Sequence, residues 1–267
     1  MACDLRDAAR TAAAVRAAAP DLVIHAQAMS NVDQCELEPD AAWEQNVRAL
    51  EHLVAALDPG RTWLVALGTD YVFDGRKGAP YDETDTPNPL GAYGRAKLAA
   101  ERVALGFPRG IVARTSTLFG PGRMNFCDAI VGAVREGRGI EAFLDQTTSP
   151  TYTEDLAAML RELIGALTVP RTGPIPRVVH VTNAGGCSRV EFARRVVELL
   201  GRSPDLVRPI RMAQQQRPAK RPAYSALTTI ELPKLTGRIM PPWDDALHTY
   251  LRQRHAFDSP MQGGPQR

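Results

Sequence analysis

No apolar run in this 267-residue chain approaches the length of a bilayer-crossing helix, so membrane insertion is not expected. Nor is there a surplus of one charge. The 32 basic and 30 acidic side chains are spread along the sequence and leave a formal charge of +2, which gives no footprint for nucleic acid and points to small-molecule partners. Cysteine is scarce: Cys3, Cys35, Cys127 and Cys187 lie far apart, without the paired spacing of a zinc site. The first residues also lack the charged-then-apolar pattern of a signal peptide, and a cytoplasmic location is expected. His25, His52, His180, His248 and His255 show no metal-ligand spacing, and no G-x-S-x-G accompanies them. Metallohydrolase and serine hydrolase chemistry are therefore set aside, and no metal is expected. There are no internal repeats. The stretch "FGPGRMNF" at 119–126 lacks the Gly-Lys-Ser/Thr ending of a phosphate loop and reads as an ordinary loop.

What is present is an ordinary globular composition, 44% hydrophobic and 23% charged, in a chain long enough to bury a core. Short apolar runs, "DLVIHA" at 21–26, "TWLVAL" at 62–67 and "GIVART" at 110–115, read as buried parallel strands. Helical patterns fill the gaps between them, an Ala-rich stretch over 7–19 and another over 39–57 that opens with Pro39. Alternation of this kind is βαβ grammar and predicts an α/β, Rossmann-like, doubly wound parallel sheet, formed by about the first 120 residues with helices on both faces. The rhythm then changes. A helix is expected over 125–137, another opening at Thr153, a strand in "VVHVTN" at 178–183, and a further helix behind the capping-box pair Ser188 and Glu191. We therefore expect a sheet region over 1–120, a smaller α/β region over 121–255 partly interleaved with the sheet, and a disordered tail over 256–267.

In open α/β sheets ligands bind beyond the carboxyl ends of the strands. Thr69 and Asp70 follow one predicted strand, Ala26 and Ala28 another, and the latter are small enough for a flat cofactor to approach the backbone. Tyr93 and Lys97 stand four residues apart in a helical stretch, "GAYGRAKLAAER" at 91–102, and so share a face. Taken alone, the pair is either a solvated helix face or an acid/base pair in which an ammonium lowers the pKa of a phenol. The basic stretch "QQQRPAKRPAY" at 214–224 is either a solvated loop or a nucleic-acid contact.

Several motifs in order resolve the choice. "GTDYVFDG" at 68–75, "DETD" at 82–85 and "PLGAYGRAK" at 89–97 resemble the extended short-chain dehydrogenase/reductase family, and within it the dTDP-4-dehydrorhamnose reductase group. The likeness continues through "RTS" at 115 and its neighbours, "NF" at 125–126, "DQ" at 145–146, "SPT" at 149–151, "RPAYSAL" at 221–227 and "PPWDDAL" at 241–247. The resemblance implies NAD(P)H-dependent reduction of a 4-keto-6-deoxy sugar nucleotide, with NADP or NAD as cofactor, a nucleotide sugar as partner, and room for a homodimer. It assigns Tyr93 as proton donor, Lys97 as the residue that lowers its pKa and holds the cofactor ribose, and Thr69 as a hydrogen-bond partner of the substrate oxygen. It further implies cofactor contacts at Asp4, Leu5, Ala26, Ala28, Arg114 and Thr115, and substrate contacts at Asp70, Asn125, Phe126, Gln146, Thr151 and Arg221. The same resemblance implies that 1–120 is a partial dinucleotide-binding region and that 121–255 is the substrate-binding region.

The departures from the family pattern are informative. Gly68 replaces a usual serine, Thr117 a usual tryptophan, and Gln27 interrupts a usual run of alanines. The chain opens at "MACDLRD", which resembles a segment that in the family follows the strand and G-x-x-G-x-x-G loop of the dinucleotide site; no such loop precedes it here. The amides of that loop hold a pyrophosphate, so weak NAD(P)H binding is expected of the chain as written, and "LVIHA" is expected to form an apolar sheet edge. The same absence favours a second reading, a non-catalytic binding or regulatory protein on this fold resembling the methionine adenosyltransferase β subunit. Retention of Thr69, Tyr93 and Lys97 opposes it.

Overall fold

The computed structural model describes residues 3–169 and 174–254, so the tail expected over 256–267 lies outside the described residues. Its centre is a sheet of four parallel strands in sequential order: β1 (Leu22–His25), β2 (Trp63–Thr69), β3 (Gly110–Thr115) and β4 (Val178–His180). The register aligns His25 with Ala66, Thr69 with Thr115 and Arg114 with His180, which brings the carboxyl ends of the strands to one edge. As expected, β1 is an apolar edge, with Ile24 46% exposed.

Strand alternation separates two faces. Leu64, Ala66 and Val112 pack on Leu50, Leu53, Ala100, Ala104 and Phe107, which belong to or adjoin α2 (Ala49–Ala56) and α3 (Ala92–Gly106). Val15 of α1 (Ala8–Ala18) joins the same cluster, so the helices of the first 120 residues cover one face only. Val65, Ile111, Ala113 and Val179 point the other way. They meet Leu156, Leu160, Leu163 and Leu167 of a helix that lies beyond residue 120, Thr153–Thr168. Helices do cover both faces, but the second cover and the fourth strand come from the later part of the chain.

The local signals act as their chemistry requires. Asp7 caps α1 by accepting the Arg10 N–H, and Pro39 stands at the first turn of a helical run that continues through a π-helical turn, Glu44–Arg48, into α2. Inside that turn the Asn46 side chain accepts the Met29 N–H at 2.7 Å and donates to the Met29 carbonyl at 3.2 Å, fixing the loop that follows β1. The helix α4 (Phe126–Arg135) is capped by Asn125, whose Oδ1 accepts the Asp128 N–H, and Thr153–Thr168 is α5. Ser188 and Glu191 form their reciprocal box at the head of α6 (Arg189–Leu199). A second core gathers Phe119, Ile130, Tyr152, Val196 and Leu247 between α4, α6 and α7 (Trp243–Arg254).

Two histidines are buried in this frame. Burial and the neighbouring Lys97 charge push His25 down to about 4, and burial likewise pushes His180 down. Each stays neutral when folded at pH values where the unfolded chain takes up a proton, near 6.5. Stability from this source is therefore full above pH 6.5 and is lost as pH falls toward 4, about 3 kcal/mol for a shift of the size seen at His25. We expect thermal unfolding of His25→Gln to depend less steeply on pH than wild type between pH 7 and 4.5. Parallel melting-temperature curves would refute the assignment.

Candidate active site

Helix α3 places the site. Ala96, Ala100 and Ala104 recur at four-residue intervals and turn into the sheet, while Tyr93, Lys97 and Glu101 follow at the same interval on the adjoining stripe. The helix has no capping side chain of its own, and Glu36 accepts the Ala92 N–H at 2.7 Å instead. At Gly94 a Cβ would lie 2.3 Å from the Tyr71 carbonyl oxygen, so glycine allows α3 to press against the turn after β2. That approach sets the Tyr93 phenol on the same cleft lining as the Thr69 hydroxyl. The Tyr71 ring meets Tyr93 edge-on with centroids 5.9 Å apart.

These residues line a cleft of about 530 Å³ at the carboxyl edge of the sheet. Of the residues singled out from sequence, it collects Ala26, Ala28, Thr69, Asp70, Tyr93, Lys97, Thr115, Asn125 and Phe126. Gln146 stands behind it, its Nε2 donating to the Tyr71 hydroxyl at 3.3 Å.

Other expected contacts are held elsewhere. Arg114 is absent from the lining because it gives its guanidinium to Glu101, with Nη2 to Oε2 at 2.9 Å and both side chains at most 5% exposed. Thr151 is fully buried, paired with Leu118 in a short parallel ladder and donating to the Ser149 carbonyl. Arg221 is bidentate on Asp33 at 2.8 and 3.0 Å. Asp4 and Leu5 lie away from the cleft. Asp4 borders a separate open depression and is taken up by Arg6, and the Leu5 carbonyl pairs with His52. Asn125 lines the cleft with its side chain engaged by Asp128 and the Gly120 carbonyl.

The electrostatics differ from what the Tyr93/Lys97 spacing suggested. Burial and the Asp70 charge hold the Tyr93 phenol above its ordinary value, opposed by the neighbouring Thr69 hydroxyl. Lys97 does not supply the shift, because its ammonium donates to the Leu67 carbonyl at 2.7 Å and is itself pushed down by burial. Asp70, 2% exposed, is pushed up to about 6 by burial even though it accepts from Ser225 at 2.5 Å and from Thr69 at 3.3 Å. The Thr115 hydroxyl, also on the lining, has no partner within the protein. An orphaned hydroxyl, a buried ammonium and the small side chains of Ala26 and Ala28 in one cleft fit the nicotinamide-ribose half of a dinucleotide. Among the described residues no cluster has the composition of a metal site.

Sequence reading missed Ser30, Tyr71, Ser116, Thr117 and Arg189, all on the lining. Thr117, the position where the family carries tryptophan, adopts φ 39°, a left-handed conformation unusual for a β-branched residue and of the kind stored at binding sites. Arg189 had a legible signal: it is the first residue of the helix that Ser188 caps.

Comparison with known proteins adds a family. A family profile described as "RmlD substrate binding domain" matches residues 1–256. A dTDP-4-dehydrorhamnose reductase of Mycobacterium tuberculosis is 37% identical over 237 residues, covering 86% of this chain and 76% of the relative. One from Streptomyces griseus is 36% identical over 226 residues, covering 84% and 74%. Among solved structures, a dTDP-4-dehydrorhamnose reductase from Bacillus anthracis in complex with NADP superposes with a TM-score of 0.85 at 30% identity, covering 94% of this chain and 86% of that one.

The Asp70 shift has a testable sign. Its folded pKa lies above the unfolded value of 3.8, so the contribution to stability is present below 3.8 and is lost as pH rises through about 6. Ionising it in place costs about 3 kcal/mol at pH 8. Asp70→Asn should therefore gain melting temperature relative to wild type as pH is raised from 4 to 8. A difference that is flat or falls with pH would contradict the buried-carboxyl account.

Proposed function

We propose that this chain, which belongs to the RmlD substrate binding domain family, reduces the 4-keto group of a dTDP-linked 6-deoxy sugar with NAD(P)H. The observation that carries the reading is that the Thr69 hydroxyl and the Tyr93 phenol line one cleft, with Lys97 one helical turn away. Reduced nicotinamide, when bound, supplies the hydride. The protein's part is to place the keto oxygen and give it a proton. Thr69 orients that oxygen by hydrogen bonding. Tyr93, kept fully protonated by burial and by Asp70, is a donor and not a phenolate, and gives its proton to the oxygen as negative charge develops there. Lys97, anchored on the Leu67 carbonyl, offers its remaining donors to the cofactor ribose.

In this reading residues 1–120 supply the cofactor half of the site and 121–255 the nucleotide-sugar half. A cytoplasmic setting and room for a homodimer belong to it as well. The free state of Cys3, Cys35, Cys127 and Cys187 supports the former, and no helix among the described residues is long and apolar enough to cross a membrane. The convergence of Thr69, Tyr93 and Lys97 on one cleft weighs against a purely regulatory protein.

Tyr93→Phe should lower turnover of a dTDP-4-keto-6-deoxy sugar by about 10²- to 10⁴-fold, the usual worth of a positioned acid, and leave NADPH affinity nearly unchanged. The measurement is NADPH oxidation under steady state, alongside calorimetric titration of the cofactor. Near-normal turnover in the variant would overturn the proton-donor role, and a wild-type chain without turnover would favour the binding-protein reading.

A further inference from the structure

The cleft contains a cation that the proton-transfer chemistry leaves unused. Arg189 lines it with Tyr71 and Phe126, and its guanidinium lies 5.0 Å from the centre of the Phe126 ring. Its backbone is fixed, because the Arg189 N–H donates to the Gln146 carbonyl at 3.1 Å. Its head is not paired. Arg114 is matched by Glu101, Arg195 by Asp244 and Arg221 by Asp33, whereas Arg189 forms no ion pair with a carboxylate among the described residues. Asp70, the acid nearest in effect, is already bonded by Ser225 and Thr69.

The Arg189 side chain is half-buried on the cleft wall, and the aromatic stack supplies no counter-charge for it. An anion entering the cleft would complete the arrangement. The planar fork of the guanidinium suits two oxygens of a phosphate group, and the position suits the substrate side: Phe126 and Arg189 head α4 and α6, both from the later part of the chain. In a nucleotide sugar whose keto carbon lies at Thr69 and Tyr93, the next charged group along the molecule is the diphosphate. We infer that Arg189, and not the already neutralised Arg221, anchors the diphosphate of the sugar nucleotide, an inference that rests on the reductase reading for the identity of that ligand.

The pull of burial on Arg189, which favours loss of its proton, agrees with a site that lacks its counter-ion. A second anion of the same chemistry, the pyrophosphate of the dinucleotide, is the other source to be separated. The test is calorimetric titration of the 267-residue chain with dTDP and, separately, with NADPH, for wild type, Arg189→Ala and Arg189→Lys. We expect about a ten- to hundredfold loss of dTDP affinity in the alanine variant, as for removal of one charge-assisted pair. The lysine variant, which keeps the charge but not the fork, should lose several-fold and carries the test should the alanine variant not fold. NADPH affinity should change by less than about twofold, the scale of an effect near zero.

Unchanged dTDP affinity in both variants, a selective loss for NADPH, or a wild-type chain that does not bind dTDP would each overturn the inference. Binding of dTDP does not depend on turnover. A wild-type chain that binds dTDP through Arg189 yet reduces no keto sugar would therefore remove the reductase reading and leave the diphosphate anchor standing.

Discussion

The arrangement depends on one buried carboxylate. Glu101, on the stripe of α3 that also carries Tyr93 and Lys97, takes the Arg114 guanidinium of β3. One side chain thereby joins the helix of the proposed acid to the strand that pairs with β2, the strand of its hydroxyl partner. Burial pushes the Glu101 carboxyl up, and Arg114 and Lys97 pull against that push. In so dry a place the pair adds little net stability against an apolar substitute, but removing one member would strand the other at a cost of about 3 to 5 kcal/mol. Its value is geometric. Space for it comes from Gly68, where a Cβ would fall 2.7 Å from Glu101 Oε1 and 2.9 Å from Arg114 Cγ, so a serine at this position would require the pair to shift.

A second set of polar contacts ties the later chain to the earlier one. Asp33, in the short helix Val32–Leu37, accepts both prongs of Arg221 and the Ala219 N–H, while Ser225 donates to Asp70. The basic stretch, which on composition read as a solvated loop or a nucleic-acid contact, is largely exposed, with Arg221 taken up by Asp33 and Arg217 over the Phe143 ring. The segment is thereby fastened to the earlier chain, and Tyr71, whose hydroxyl accepts from Gln146 Nε2, adds a further contact between the two halves.

The parts legible in the sequence were those governed by short-range rules. Apolar runs, caps and the four-residue interval between Tyr93 and Lys97 depend on neighbours a turn or two away, and each has its expected place. What failed to carry over depends on side-chain direction. Arg114 and Thr115 are adjacent in one strand, and strand alternation sends the first beneath the sheet to Glu101 and the second into the cleft. Motif position alone could not separate them. Ladders such as Thr147–Thr148 on Cys187–Ser188, two residues long, are too short to leave a period. The helix that covers the second face of the sheet was read correctly from its opening at Thr153, but no local signal tied it to strands some forty to ninety residues earlier.

Seen as electrostatics, the cleft is built to receive negative charge. Lys97 and Arg189 are both pushed down by burial, Thr115 has an unsatisfied hydroxyl, and the carboxyl on the lining, Asp70, is raised so far that it is partly neutral near pH 6. A raised carboxyl beside lowered cations would be a poor design for a site that holds water alone, since each group is kept in its less favoured environment. The same environment is favourable once anionic groups enter, because fixed donors in a low dielectric need no reorganisation when charge arrives or develops. Tyr93 fits this logic. With its phenol held protonated by burial and by Asp70, it would, in the proposed reaction, relieve the one negative charge created, on the oxygen assigned to Thr69.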